Sequence, residues 1–235
     1  MFSPDGSHLA TFGGDRAVRI WDVSTGASRV LAASLGVPAD GSFRAAFSPD
    51  GTSVAACAGG DALALWSLTT GEVRRWRLPP GDARCSRLTF SPDGALLAIP
   101  CSAALQLLDV SSGTWRALGG HGAEVLHFHF SSDGRFLVTA SADHTARAWE
   151  LATGAARVVH RHEGPVHDAA FSPDGRFVAT ASADGTAWVG RFDPARGLRP
   201  EAPAVRARVE ALTTAAILDG RARSPLGSTS VVMRP

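Results

Sequence analysis

The pentapeptide FSPDG, residues 47–51, recurs along this chain and is the main evidence for its fold. It occurs at residues 2–6, 47–51, 90–94 and 171–175, and as FSSDG at residues 130–134. Serine suits the first position of a type I turn, proline the second and glycine the fourth. Apolar or alternating segments flank each copy, such as LHFHF before and RFLVTASA after the fourth. Each copy therefore predicts a β-hairpin.

Each hairpin belongs to a longer unit that repeats every 40 to 45 residues. A second turn follows at Asp15, Asp143 and Asp184, and a third short strand ends in a pair such as Trp21-Asp22 or Trp149-Glu150. A glycine turn and a fourth strand complete the unit. Four strands in about forty residues, without helical periodicity, predict a propeller blade.

The repeated FSPDG turns and Trp-Asp pairs closely resemble the WD-repeat (tryptophan-aspartate repeat) β-propeller family over nearly the whole chain. The resemblance implies an all-β fold: a β-propeller of four-stranded blades, five clear and a degenerate sixth around Asp219-Gly220. We expect residues 1–193 to form five repeats, the first without its inner strand. Residues 194–235 are expected to form an irregular outer strand and the degenerate sixth repeat of the same domain.

Family members commonly close seven blades, since an open ring leaves strand edges unpaired. The resemblance therefore implies an incomplete seven-blade ring and a piece of a longer polypeptide. A compact six-blade ring is the competing interpretation.

The best-formed repeat, the fourth, contains a set of residues that resembles the family's stabilising polar chain. It consists of His121, Ser141, Asp143 and Trp149, and we expect a structural rather than a catalytic role for it, with each buried polar group satisfied by the next. The other repeats keep parts of this chain: His162, Ser182 and Asp184 in the fifth, Asp15 and Trp21 in the first, and Asp61 and Trp66 in the second. No catalytic residue is assigned.

Three residues before the FSPDG phenylalanine, every copy after the first has a polar side chain. Because innermost strands line the channel of a propeller, this set predicts a contact surface for a partner at the channel mouth. An equally good interpretation is a water-filled channel, whose wall residues are polar only because they contact water. The set is Arg44, Arg87, His127 and Asp168, with Thr213 at the matching place in the sixth copy.

The sequence contains few signals of metal binding, catalysis or nucleic-acid binding. His127 and His129 share a strand face, as do His160 and His162, but no further ligand completes a metal site at suitable spacing. The motifs of nucleotide, metalloprotease and serine hydrolase chemistry are missing from the sequence. No cofactor or metal is therefore predicted. The C-terminal 45 residues contain eight arginines and four acidic residues, but without stacking aromatics a nucleic-acid partner is not favoured.

Composition is typical of a soluble globular protein. The 235 residues are 45% hydrophobic with a net charge of +1, so no overall field attracts nucleic acid or a membrane surface. Cys57, Cys85 and Cys101 fit reduced, buried thiols, and with the lack of a long apolar segment they predict a cytoplasmic location. We expect a noncatalytic protein–protein interaction scaffold or sensor within a larger multidomain regulator, with proteins or peptides as partners. A propeller hydrolase or lyase acting at the channel mouth is the alternative.

Overall fold

The computed structural model describes residues 1–12, 17–32, 44–58, 62–79, 87–193 and 207–208. All regular secondary structure in these residues is β-strand, so the predicted all-β class is confirmed. The strands form five antiparallel sheets, in each of which strands adjacent in sequence are neighbours. We call these sheets blades 1 to 5, in chain order.

Nineteen strands are present in the described residues, three in blade 1 and four in each of the others. Their bounds are β1 His8–Phe12, β2 Val18–Asp22 and β3 Ser28–Ala32 in blade 1; β4 Arg44–Phe47, β5 Ser53–Ala58, β6 Ala62–Ser67 and β7 Val73–Arg77 in blade 2; β8 Thr89–Phe90, β9 Leu96–Cys101, β10 Ala104–Asp109 and β11 Trp115–Gly119 in blade 3; β12 Val125–Phe130, β13 Phe136–Ser141, β14 Thr145–Glu150 and β15 Ala156–Arg161 in blade 4; and β16 Val166–Phe171, β17 Phe177–Ser182, β18 Thr186–Arg191 and β19 Ala207–Arg208 in blade 5.

Blade 1 has only two paired residues where the other blades have an inner strand. The Met1 amino group donates to the Ala10 carbonyl at 2.9 Å, and the Ala10 amide donates to the Met1 carbonyl at 2.8 Å. Phe2 forms a bridge with Leu9. These residues therefore pair with β1 on the edge opposite β2.

In the described residues, the outer strand of blade 5 contributes two residue pairs, Thr186 with Arg208 and Ala187 with Ala207. Pro200 and Pro203, which fall in the predicted irregular outer strand, lie outside the described residues. The predicted sixth repeat, including Thr213, lies outside the described residues.

The FSPDG turn forms because its side chains satisfy its own backbone. In blade 2 the Ser48 hydroxyl donates to Asp50 Oδ1 at 2.5 Å and accepts the Ser53 amide at 2.9 Å. Asp50 Oδ1 also accepts the Thr52 amide at 3.0 Å, and these bonds, led by that from Ser48, lower the pKa of Asp50. Gly51 has φ of +71°, a left-handed conformation that favours glycine.

The apolar core lies between the blades. The FSPDG phenylalanines of blades 2 to 5 are only 5–8% exposed because each packs between its own blade and the preceding one, whereas Phe2 is 60% exposed. On the opposite side, Phe136 of β13 is 5% exposed against blade 5, but its counterpart Phe177 in β17 is 37% exposed. Within the described residues, the first and last blades thus each present an uncovered apolar face.

The cysteines differ from one another. Cys101 is a free, buried thiol whose pKa is raised by burial. Cys57 is also buried, but it is disulfide-bonded, so the expectation of three reduced thiols is wrong for this residue. Cys85 lies outside the described residues. No helix in the described part of the chain is long and apolar enough to cross a membrane.

Candidate functional site

Blade 4 contains a continuous buried chain of polar side chains. His121 Nδ1 lies 2.9 Å from Asp143 Oδ2, and His121 Nε2 lies 2.7 Å from the Thr139 hydroxyl oxygen. The Trp149 indole donates to that same oxygen at 2.9 Å. Since the carboxylate only accepts, the proton of the neutral imidazole belongs on Nδ1, and Nε2 accepts from Thr139.

The hydroxyl in this chain is that of Thr139, and the prediction of Ser141 is wrong. Ser141 instead donates to the Ala123 carbonyl at 3.1 Å and accepts the Asp143 amide at 3.1 Å. Both residues lie on one face of β13, but two residues span roughly 6.8 Å along a strand. Ser141 is therefore at the loop end, too far from the indole of Trp149, whose strand partner is Leu137.

The protonation states in blade 4 follow from burial and hydrogen bonding. Burial lowers the pKa of His121, and the Asp143 carboxylate only partly opposes this effect. Partial burial by itself would raise the pKa of Asp143, but hydrogen bonds from Thr145, Gly122 and His121 outweigh it and lower that pKa. A neutral imidazole beside an ionised carboxylate is the resulting state, which suits a structural hydrogen-bond chain.

Blade 5 repeats this pattern without its tryptophan. His162 Nε2 lies 2.8 Å from the Thr180 hydroxyl and its Nδ1 lies 3.3 Å from Asp184 Oδ2. Ser182 donates to the Gly164 and Pro165 carbonyls at 3.0 Å, so the predicted place of Ser182 in the chain is wrong for the same reason as that of Ser141.

The tryptophan of blade 5 occupies a different position from that of blade 4. The indole of Trp188 stacks on His160 with ring centroids 4.6 Å apart. It also covers Gly190, where an added Cβ would lie 2.0 Å from the ring. The glycine at the expected tryptophan position thus leaves room for the tryptophan two residues earlier.

Blades 1 and 2 show that the threonine hydroxyl on the second strand of a blade serves as the acceptor for the tryptophan indole. In blade 1 the Trp21 indole donates to the Thr11 hydroxyl at 2.7 Å. In blade 2 the matching position is Ala56, and the buried indole nitrogen of Trp66 has no hydrogen-bond partner. Asp15 and Asp61, predicted members of these two chains, lie outside the described residues.

Sequence reasoning missed the three threonines, although a signal for them exists. Thr11 and Thr139 each precede their tryptophan by ten residues, and Thr180 precedes the tryptophan-equivalent Gly190 by the same interval. Each starts a Thr-Phe or Thr-Ala pair near the end of a second strand. Counting back from tryptophan, rather than reading the residues beside the aspartate turn, would have found them.

The structure brings three of the predicted inner-strand residues into contact across three blades. Arg87 precedes β8, His127 is in β12 and Asp168 is in β16. An Arg87 guanidinium nitrogen meets His127 Nε2, and His127 Nδ1 lies 2.8 Å from Asp168 Oδ1, although these two atoms are not aligned as a hydrogen bond. We call this set the inner-strand row.

The inner-strand row is charged at its ends and neutral in the middle. Burial, followed by the positive charge of Arg87, lowers the pKa of His127 against the opposing effect of Asp168. The Asp168 side chain is 60% exposed, compared with 21% for His127. Arg44 begins β4 with an exposed side chain, and the structure does not place it in the row.

Local strand geometry positions these side chains. Bulges between Val125 and His127, and between Val166 and Asp168, let both residues occupy the same place in their ladders, opposite an alanine. In blade 3, Pro100 lies two residues beyond Ala98, the partner of Thr89, where it would face Arg87. Because proline has no amide hydrogen to donate to the neighbouring strand, β8 begins only at Thr89, and Arg87 lies before it.

The histidine pairs do not form a metal site in the described residues, which contain no group of three His, Cys, Asp or Glu side chains arranged around a common point. His127 is held between Arg87 and Asp168, and His160 is stacked on Trp188.

The family described as "WD domain, G-beta repeat" matches residues 1–22, 112–150 and 155–189. These three segments of the chain are WD repeats of this family. The matched segments contain strands of blades 1, 4 and 5 that carry Thr11, Thr139 and Thr180, together with β11, the outer strand of blade 3. The two other blades have Ala56 and Ala98 at that position. WD repeats imply a protein-interaction scaffold, and WD-repeat proteins are generally non-enzymatic.

Two curated proteins are similar over part of the chain. Jouberin of Rattus norvegicus and Jouberin of Mus musculus are each 37% identical over 75 residues. The match covers 30% of this chain and 7% of either Jouberin. The chain therefore corresponds to a small part of the curated relatives that it matches.

Proposed function

We propose that the chain is a noncatalytic scaffold whose inner-strand row contacts a protein or peptide, and that it serves as the docking or sensor module of a larger multidomain regulator. The presence of WD repeats supports the interaction role. In rat Jouberin the similar segment occupies 7% of the chain, so there it is one part of a much longer protein. This supports the modular interpretation.

The observation that carries the proposal is the contact of Arg87, His127 and Asp168 across three successive blades. Side chains on separate blades keep their spacing because each blade packs on the next. A row with a guanidinium at one end and an exposed carboxylate at the other suits a polar partner segment, which would offer an acidic group to Arg87 and a hydrogen-bond donor to Asp168.

The same geometry favours binding over the alternative of a hydrolase or lyase. A general base needs a ring nitrogen within hydrogen-bond reach of the substrate. In His127, Nε2 is hydrogen-bonded to Arg87, and Nδ1 is buried beside Asp168, so neither nitrogen is open to a substrate.

The test starts by identifying a partner from cells that make the protein, through affinity capture and mass spectrometry. Binding of the purified partner is then measured by calorimetry with the wild type, Arg87→Ala and Asp168→Ala. Arg116→Ala, on the exposed outer strand β11, is the matched control. We expect the two row variants to weaken binding at least tenfold and the control to leave it unchanged.

Equal affinity for all four proteins would refute the role of the inner-strand row. Turnover in a substrate screen that disappears in a folded His127→Ala variant would instead establish the enzyme alternative.

A further inference from the structure

Between blades 2 and 3 the structure has a cavity of about 490 Å³, separate from the inner-strand row. It lies at the blade edge formed by the FSPDG turns. Leu65, Phe90, Pro92 and Val110 give it apolar walls, and Asp50 and Asp93 contribute carboxylates. Its volume falls within the range of roughly 300–1,000 Å³ that is usual for ligand pockets.

Comparison with another blade junction explains the cavity. At the junction of blades 4 and 5, the rings of Phe136 and Phe171 each lie 5.0 Å from that of Phe192 and fill this space. At the junction of blades 2 and 3, the positions of Phe136 and Phe192 hold Ser53 and Val110. Two aromatic rings are thus replaced by small side chains, and the space between the blades opens.

The two carboxylates each retain an uncommitted oxygen. Oδ1 of Asp50 accepts from Ser48 and Thr52, and Oδ1 of Asp93 accepts from Ser91 and Ala95. Neither Oδ2 atom has a hydrogen bond from the described residues. The bonds to Oδ1, led by those from the serines, lower the pKa of both side chains, so the cavity carries two negative charges at neutral pH.

One cation lies nearby but is engaged elsewhere. The Arg74 guanidinium donates to the carbonyls of Val110 and Ser111 and lies 4.8 Å from the centroid of the Trp76 ring. It forms no ion pair with Asp50 or Asp93. The charges of the cavity are therefore left for a group from outside.

We propose that this cavity is a docking pocket for an arginine side chain of a partner protein. An arginine has an apolar stem for the walls formed by Leu65, Phe90 and Val110, and a planar guanidinium with five donors for the two carboxylates. Charge-assisted bonds of this kind are stronger than bonds between neutral groups. The pocket deepens the proposed scaffold function, on which it rests, by naming the chemistry of one partner contact.

The experiment is a titration of the full 235-residue chain, with labelled leucine and valine methyl groups, followed by NMR. The probe is N-acetyl-arginine methylamide, compared with its citrulline analogue, which has similar shape but no charge. We expect saturable shifts of the Leu65 and Val110 methyl signals with the arginine probe. The citrulline probe should bind about three- to tenfold more weakly, because partly exposed ion pairs contribute modestly.

Matched variants locate the binding. Asp50→Asn with Asp93→Asn keeps an oxygen acceptor in each turn while removing the charge, and it should weaken arginine binding by a similar factor. Asp133→Asn, in the same kind of turn in blade 4, should leave it unchanged. Ser53→Phe with Val110→Phe copies the filled junction and should abolish the shifts.

The proposal would be overturned by equal affinity for the two probes, by no saturable shift in the folded chain, or by equal binding of the double asparagine variant. Methyl shifts that depend on protein concentration without any probe would identify a second copy of the chain as the occupant and would also overturn it. None of these depends on finding a cellular partner, so a failure of the pocket is distinguishable from a failure of the scaffold function.

Discussion

The unpaired indole of Trp66 can be repaired by a single substitution, Ala56→Ser. Ala56 and Trp66 are both buried, and the indole nitrogen of Trp66 has no hydrogen-bond partner. Ala56 pairs with Ala64 as Thr139 pairs with Arg147, so a serine oxygen would lie where Thr139 accepts the Trp149 indole at 2.9 Å. The new hydroxyl would donate to the Ala64 carbonyl, as Thr139 contacts the Arg147 carbonyl at 3.4 Å.

The expected magnitude is the difference between two opposing effects. Satisfying a buried donor recovers about 1–3 kcal/mol, whereas an extra atom in a packed core costs typically 1–3 kcal/mol when it causes strain. Blades 1 and 4 accommodate the larger threonine at this position beside a tryptophan, so we expect a net stabilisation of about 1 kcal/mol. For a domain of this size that corresponds to an increase in Tm of roughly 2–4 °C.

Ala98→Ser is the matched control, since Ala98 is also fully buried and precedes Leu108 by the same ten residues. Leu108 has no donor, so the added hydroxyl would gain no indole bond. We expect the control to be destabilised by about 1 kcal/mol, which places the two variants about 2 kcal/mol apart. Urea unfolding and thermal melts measure the difference, and hydrogen exchange of the Trp66 indole should slow. Equal stability changes in the two variants would refute the reasoning.

Three further predictions concern stability. Thr139→Val keeps the shape of the side chain but leaves His121 Nε2 and the Trp149 indole nitrogen without a partner, so urea unfolding should show a loss of about 2–4 kcal/mol. A loss below about 0.5 kcal/mol would contradict the stabilising role of this hydrogen-bond chain. Phe47→Ala should cost about 3–5 kcal/mol by cavity formation, whereas Phe2→Ala should cost under about 1 kcal/mol because Phe2 is 60% exposed; comparable losses in thermal melts would mean that Phe2 is covered in solution. Folding lowers both the pKa of His121 and the pKa of Asp143. As the pH falls, the unfolded chain therefore takes up protons before the folded chain, and stability is lost, beginning at pH ~6.5 for the imidazole and at pH ~4 for the carboxylate. Urea unfolding at pH 8 to 4 measures this loss, and a stability that rises between pH 7 and 5 would contradict it.

Much of the fold is predictable because each repeat forms its turns and hairpins through interactions between residues close in sequence. The FSPDG turn is closed by its own Ser48 and Asp50 side chains, and the alternating segments beside it need no distant information to form a hairpin. The repeated spacing of the polar inner-strand positions can also be recognised in the sequence, and three of these residues contact one another across the blades. Thr213, Asp15 and Asp61 stay predictions, since they lie outside the described residues.

The amino-acid sequence alone is enough to identify the repeating unit and its order along the chain, because hairpins closed by local side chains and repeated at a regular interval form blades. The structure was needed to show which hydroxyl joins His121 to Trp149, because Thr139 and Ser141 share a strand face and differ only in their distance from an indole on the next strand. The ten-residue interval from threonine to tryptophan becomes a usable signal once this pairing is known. The tertiary structure alone also exposed the cavity beside Ser53 and Val110. Whether two small side chains leave a space depends on the residues that face them from the neighbouring blade, and the sequence of a single repeat does not specify these contacts.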